Sequence, residues 1–376
     1  MDPSLLSQDI ITPAFLVDHA RVRRNCDAMR EKARRSEVLF RPHVKTHKTL
    51  EIARMQVGAD TGPITVSTLA EAEFFAAQGF DDITYAVPIS PQKLRRAADL
   101  AGKIRRLNLL LDSFEALRAL EAFHTGHGTT FSVFLKVDCG YHRAGVDPDS
   151  PEGLRLALAL AHSPAIRFEG LLTHAGHSYQ AANREEIRRV AAGEATSLTR
   201  FQGKLLEQGL RQVVRSVGAT PTASVMERFT GADEARPGNY VFYDAFQERI
   251  GACDLSQCAM SVLSTVVGSH PERGNLVVDA GALALSKDPG ADHIDRDFGY
   301  GTVCDLELSP LPMKLKVLSQ EHGKIEGTPE TVARFAVGSR LRIIPNHSCL
   351  TAAMYEAYHV IGDGGVIAQW RPVRGW

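Results

Sequence analysis

The chain lacks most features that would tie it to another macromolecule or to a surface. Its 43 Lys and Arg residues nearly balance its 44 Asp and Glu residues, leaving a net charge of −1. That balance offers no field to steer nucleic acid or anionic lipid. No apolar run approaches the ~20 residues that a membrane-crossing helix needs. Met1-Asp2-Pro3-Ser4 has no basic-then-apolar profile, so no signal peptide is expected. Cysteine pairs are missing: Cys26, Cys139, Cys253, Cys258, Cys304 and Cys349 are scattered, with no CxxC. Such usage argues against a disulfide framework and for reduced thiols in a cytoplasmic setting. Internal repeats, low-complexity tracts and long linkers are also absent. No GxGxxG follows the first strand-like run, which removes the dinucleotide-binding fingerprint.

What is present is an ordinary soluble composition, 44% hydrophobic and 23% charged, over 376 residues. That length suits two domains, or one barrel with an appendage. Eight strand-like runs are expected, at 38–42, 64–67, 83–87, 107–111, 132–137, 168–173, 213–217 and 238–242. Helical periodicity lies between most of them, at 68–78, 91–100, 113–123, 151–162 and 184–209. Repeated strand–helix units ask for a parallel sheet with both faces covered. Eight units predict an α/β fold, a (β/α)8 barrel, over 14–246. Beyond it, β-like runs at 260–268, 275–279, 313–320, 340–344 and 365–373 alternate with turns. They predict a second, mainly antiparallel β domain formed by 247–376 together with 1–13.

A barrel of this kind carries its chemistry at the C-terminal ends of its strands. Pro42 cannot donate to a sheet ladder, so the first strand finishes there. Just beyond it come His43, Lys45, His47 and Lys48, among 14 histidines in the chain. A lysine held in a partly desolvated pocket can form a Schiff base with an aldehyde cofactor. A solvated basic loop is the plain alternative for the same residues. Later strand ends carry Asp138 to Arg143, Thr173 to Tyr179, Gly218-Ala219-Thr220 and Gly238-Asn239-Tyr240. The two glycine-containing ends lie where barrels often bind phosphate through backbone N–H groups. Turn glycines are common, but a reactive lysine opposite a phosphate cradle describes a pyridoxal 5'-phosphate site.

Pro42-His43-Val44-Lys45-Thr46-His47-Lys48 resembles the cofactor-lysine segment of the alanine-racemase-like barrel enzymes. The branch is the one holding D-threonine aldolase and eukaryotic D-serine dehydratase. Lys136-Val137-Asp138-Cys139-Gly140-Tyr141-His142-Arg143-Ala144-Gly145 is similar to that superfamily's motif on the fifth strand. His174 to Tyr179 and Arg236 to Tyr240 are similar to later motifs of the branch. The resemblance covers essentially the whole chain. Near the C-terminus, His347-Ser348-Cys349 resembles the His-x-Cys pair that holds zinc in the eukaryotic D-serine dehydratases. D-Threonine aldolases tend to have His-x-Asp and a harder metal. Thiolate plus imidazole favours zinc, whereas carboxylate suits magnesium or manganese.

The resemblance implies a zinc- and pyridoxal-phosphate-dependent ammonia-lyase acting on D-serine. Lys45 would carry the cofactor and act as base. Arg143 would lie against the cofactor ring and Tyr179 near its phosphate. Gly218, Thr220, Gly238, Asn239 and Tyr240 would shape the phosphate cradle. His174 would support the cofactor, and His177 would stand behind it; core hydrogen bonding explains both histidines equally well. His347 and Cys349 would bind Zn2+. A homodimer is expected, with a small D-amino acid as substrate and no nucleic-acid or membrane partner. Aldol cleavage of D-threonine and dehydration of D-threo-3-hydroxyaspartate are the near alternatives. Racemisation would need a tyrosine base from the β domain, with Tyr355 and Tyr358 as the residues at hand. A non-catalytic pyridoxal-phosphate carrier would lack the β domain.

Overall fold

The computed structural model describes residues 10–363 and 365–376. By compactness the chain divides into two units. One comprises the described residues up to Cys26, Ala182–Arg184 and Asn239–Pro372; the other comprises Asp27–Ala181, Glu185–Gly238 and Val373–Trp376. Residues 1–9 of the expected 1–13 segment lie outside the described residues.

The second unit contains an eight-stranded sheet in which every neighbouring pair is parallel. Its order is Leu39–Phe40, Glu234–Ala235, Val214–Val217, Ile166–Leu172, Phe131–Lys136, Arg106–Leu111, Asp82–Pro88, Ile64–Val66. A parallel bridge between His43 and Thr65 joins the last strand to the chain leaving the first, which closes the ring. Seven of the expected strands are present. The eighth is corrected: it is the two-residue Glu234–Ala235, and Asn239–Val241 is a 3-10 turn. The apolar run at 238–242 owes its burial to packing, not to a ladder.

The connecting helices start where the chain supplies a cap. The Thr68 hydroxyl accepts the Glu71 N–H (3.0 Å) and the Ser150 hydroxyl accepts the Gly153 N–H (3.0 Å). Pro151 at the first helical position needs no N–H partner there. Leu156, Ala157 and Leu160 then face inward.

The first unit contains a nine-stranded sheet. Asn275–Val278, Gly323–Glu326, Pro310–Leu318, Gly301–Cys304, Arg340–Pro345 and Met260–His270 follow one another, and the last pairs back with the first. This antiparallel ring encloses Val262, Leu276, Leu315, Ile325, Leu341 and Ile343. Ala14–Asp18 extends it, pairing antiparallel with Met260–His270 and parallel with Tyr358–Gly362. Gly365–Trp370 completes the edge. The expected boundary at residue 14 is therefore corrected, because 14–18 is a strand of the β unit. The boundary at 246 moves back to 239. No helix among the described residues is long and apolar enough to cross a membrane.

Charge is buried inside the parallel ring. Arg41, 1% exposed, donates through Nε to Glu234 and through Nη1 to Asp82, both at 2.6 Å. Removing one partner of such a set strands the others without solvent. Arg41→Met is therefore expected to cost about 3–5 kcal/mol of stability. The denaturant midpoint of the barrel unit measures this.

Candidate active site

From the Arg41–Glu234 pair, hydrogen bonds continue toward the C-terminal strand ends. Ser216 donates its hydroxyl to Glu234 (2.5 Å) and accepts from Arg236 Nε (2.6 Å). Arg236 Nη2 donates to the Thr173 carbonyl (2.6 Å), and the Thr173 hydroxyl donates to Glu194 (2.8 Å). Burial lowers Arg236 to about 10 against the pull of Glu234 and Glu194, so it stays charged at neutral pH. Burial pushes the Glu194 carboxyl up.

Lys45 sits at the first strand end on the 3-10 turn Val44–Thr46. Both flanks of this turn are fastened. His43 Nδ1 accepts the Lys45 N–H at 3.4 Å, and Lys48, in the left-handed region (φ 55°), pairs with buried Glu71 at 2.9 Å. The Lys45 side chain itself is exposed, whereas His43, Thr46 and His47 are buried. Burial, reinforced by the nearby Lys45, holds His43 and His174 well below the ordinary imidazole range. Both rings are neutral at pH 7. The His174 Nδ1–H donates to the Gly218 carbonyl. Lys136 ends the fifth strand; burial and then Arg236 push its amine down to about 8. One amine is thus presented among neutral imidazoles, a fixed guanidinium and a second lysine. That set suits an anionic aldehyde cofactor.

The remaining expected cofactor residues divide. Arg143 is exposed, with its guanidinium 5.0 Å from the centre of the Tyr141 ring. Tyr179 is half-buried on the turn Gly176–Gln180. Thr220 is buried at the start of the helix Thr220–Val225. A Cβ at Gly218 would stand 3.0 Å from the Arg236 Cβ, and one at Gly238 would stand 2.9 Å from the His43 carbonyl oxygen. Protein packing alone therefore demands both glycines. Asn239 and Tyr240 belong to the β unit, not to the barrel. Among the described residues, Ser178 Oγ and His177 Nδ1 are buried without a partner at the sixth strand end. Such orphaned groups are the ones a bound cofactor satisfies.

The β unit holds the second cluster. The His347 Nδ1–H donates to Asp288 at 2.8 Å. Asp288 is placed by its own loop: its carboxylate accepts the Gly290 N–H (2.8 Å), and the Asn346 amide donates to the Asp288 carbonyl (3.0 Å). A Cβ at Gly290 (φ 64°) would meet the Asn346 amide at 2.7 Å, so only glycine admits this packing. Burial opposes charging His347, but Asp288, then Cys349, then Asp244 raise it to about 10. Among the described residues, no group of three or more His, Cys, Asp or Glu is placed to hold a metal ion alone. His347 Nε2 and Cys349 Sγ could supply two ligands to a metal, the imidazole being oriented by the Asp288 carboxylate. That leaves open positions, as a reactive metal centre requires. The two tyrosines considered as racemase bases are used otherwise. Tyr355 donates to the Ala284 carbonyl (2.9 Å) and Tyr358 to the Ala352 carbonyl (3.2 Å). Burial pushes the Tyr355 phenol up, away from service as a base.

Sequence reading singled out neither Lys136 nor Glu194, Asp244 or Asp288 as site residues. Lys136 had a signal, a charge ending an otherwise apolar strand. Glu194 had another, a carboxylate on the same helical face as Ile187, Leu198, Phe201 and Leu205. Asp288 lies in a loop 59 residues from His347 in sequence and had none.

The two kinds of histidine act oppositely on stability. The raised His347 stabilises the metal-free fold fully below pH 6.5, and this is lost as pH rises toward about 10. Burial lowers His47 to about 4, with His43 and His174 also depressed, so stability falls as pH drops below 6.5. In metal-free Asp288→Asn, His347 is expected to titrate clearly below its value of about 10. Proton NMR of the imidazole measures it.

Comparison with known proteins gives the family. The family described as alanine racemase, N-terminal domain, matches residues 17–245, and the putative serine dehydratase domain matches residues 259–361. The chain is 39% identical to D-threo-3-hydroxyaspartate dehydratase of Delftia sp. (strain HT23) over 100% of both chains. It is 39% identical to D-serine dehydratase of Dictyostelium discoideum over 97% of both chains. Among solved structures, a cysteine-to-alanine mutant of D-threo-3-hydroxyaspartate dehydratase in the metal-free form superposes with a TM-score of 0.92, at 39% identity over 99% of each chain. With both halves matched over essentially their whole length, the chain belongs to the D-serine dehydratase branch of the alanine-racemase-like family.

Proposed function

We propose that the protein eliminates water from D-serine, giving pyruvate and ammonia, with pyridoxal phosphate and zinc as cofactors. The observation that carries this reading is the Asp288–His347 pair beside Cys349. It leaves one imidazole nitrogen and one sulfur for a soft metal, the group needed to assist loss of a hydroxyl. Lys45 would hold the aldehyde cofactor and, with the charged Arg236 and the orphaned Ser178 hydroxyl, receive its polar groups. When bound, that cofactor supplies a sink for the electrons left at Cα.

The roles of the chain's own residues follow from their surroundings. The Lys45 amine takes the proton from Cα. His43 and His174 stay neutral beside it, so they add no positive charge to oppose its protonation. Arg236 stays charged and fixes the Thr173 strand end. His347 and Cys349 would hold zinc, which when bound supplies a Lewis acid for loss of the substrate hydroxyl. The released aminoacrylate becomes its imine and takes up water, which frees ammonia. Because Tyr355 and Tyr358 donate to backbone carbonyls, no second base for racemisation is supplied by either. The β unit with its His-x-Cys pair argues against a non-catalytic carrier.

Dehydration of D-threo-3-hydroxyaspartate is the second reading, favoured by the full-length match to the Delftia enzyme. The chemistry is identical and the substrate carries one more carboxylate. Rates of oxaloacetate and pyruvate release from the two substrates decide between them. Chelator-treated protein is expected to lose pyruvate release from D-serine and regain it with zinc. Pyruvate release independent of zinc would remove the metal from the reaction. Lys45→Ala is expected to lose the visible absorbance of the bound cofactor and all turnover. His347→Ala is expected to keep that absorbance while losing zinc and elimination; full activity would refute the metal role.

A further inference from the structure

Asn239 stands in the β unit, and its side chain turns toward Cys349. Its Nδ2 lies 2.9 Å from Asp244 Oδ2, 2.8 Å from Ser348 Oγ and 3.7 Å from Cys349 Sγ. One amide hydrogen serves Asp244, and the other is shared between the hydroxyl and the sulfur. The reverse orientation of the amide would set its oxygen against the Asp244 carboxylate. Asp244 therefore decides which end faces the sulfur.

Asp244 is itself immobilised. It is 1% exposed, and its two oxygens also accept the Ser348 N–H (3.0 Å), the Ser348 hydroxyl (3.1 Å) and the Gln247 N–H (2.9 Å). The last bond caps the helix Ala245–Arg249. A single buried carboxylate thus ties the Asn239 amide to the residue between the two proposed ligands.

We propose that Asn239 is a positioning residue for Cys349, donating an N–H to its sulfur, with Asp244 holding the amide in place. The inference rests on the reading of His347 and Cys349 as metal ligands, and it gives each ligand its own support. Asp288 orients the imidazole; Asn239 steadies the thiolate. A donor on a thiolate draws off part of its charge, which tunes how strongly sulfur gives electrons to a metal. It also separates Asn239 from the phosphate cradle implied by resemblance.

The test uses the full-length protein carrying its cofactor. Zinc affinity is measured by chelator competition, and the metal-free protein is loaded with cobalt to record its sulfur-to-metal charge-transfer band. Asn239→Leu removes the donor at similar volume. It is expected to weaken zinc binding about 10- to 100-fold, to shift the cobalt band, and to leave the cofactor's visible absorbance unchanged. Asp244→Asn, which frees the amide without removing it, is expected to shift the band in the same direction by less. It keeps the idea testable if the first variant does not fold. Unchanged affinity and an unchanged band in both variants would overturn the proposal. So would loss of cofactor absorbance with metal binding intact, which would return Asn239 to the cradle. If His347→Ala and Cys349→Ala bind cobalt as the unaltered protein does, the metal reading fails first, and this proposal falls with it.

Discussion

The barrel unit depends on keeping several charges dry. Arg41, Glu234, Ser216, Arg236, Thr173 and Glu194 form one run of hydrogen bonds from the interior of the ring to its C-terminal strand ends. Each member is buried, so each must be satisfied by its neighbour. The run links the strands at 39–40, 214–217 and 234–235, which are short and have few ladder bonds of their own. It also ends beneath the residues that carry the proposed chemistry. Through it, Arg236 remains a fixed cation near His43, adding to the burial and the Lys45 charge that keep that ring neutral. Structural charge and site electrostatics are therefore one arrangement.

The β unit reaches a similar end by a different route. Two of its buried or half-buried carboxylates hold the polar groups at and around the pair His347 and Cys349. Asp288 takes the imidazole N–H, and Asp244 takes the amide and the serine next to the sulfur. Asn346 and Gly290 lock the Asp288 loop, so its carboxylate is placed by backbone packing as much as by charge. The helix Ser348–Ala353 is secured from its other side by the Thr351 hydroxyl on the Leu285 carbonyl (2.8 Å). Neither His347 nor Cys349 depends on a freely rotating side chain for support.

Much of this was legible from residue order alone. Runs such as 107–111 and 132–137 alternate with capped helices, and local periodicity locates them to within a residue or two. The strand Glu234–Ala235 was not legible. It is two residues long and begins with a carboxylate that only the distant Arg41 makes tolerable. The apolar segment a few residues later drew the assignment instead. Ala14–Asp18 was assigned to the wrong unit because its partners, at 260–263 and 359–361, are remote in sequence. In the site, Lys45 stood out through its residue type and its place at a strand end, and His347 and Cys349 through family resemblance. Their supports did not: Asp288, Asp244 and Glu194 matter only for what long-range folding sets beside them. Asn239 was noticed for its neighbours in a motif, whereas its side chain contacts a residue 110 positions away.

The strand Ala14–Asp18 has a consequence for the order in which the protein is made. It lies between Met260–His270 and Tyr358–Gly362, so both of its neighbours leave the ribosome long after it does. The parallel ring, by contrast, has all its strands once residue 235 has emerged. An apolar segment, Ala14-Phe15-Leu16-Val17, must therefore wait unpaired through the synthesis of some two-thirds of the chain. Throughout that interval its apolar side chains and backbone groups lack their sheet partners, the kind of exposure that makes incomplete chains prone to aggregate.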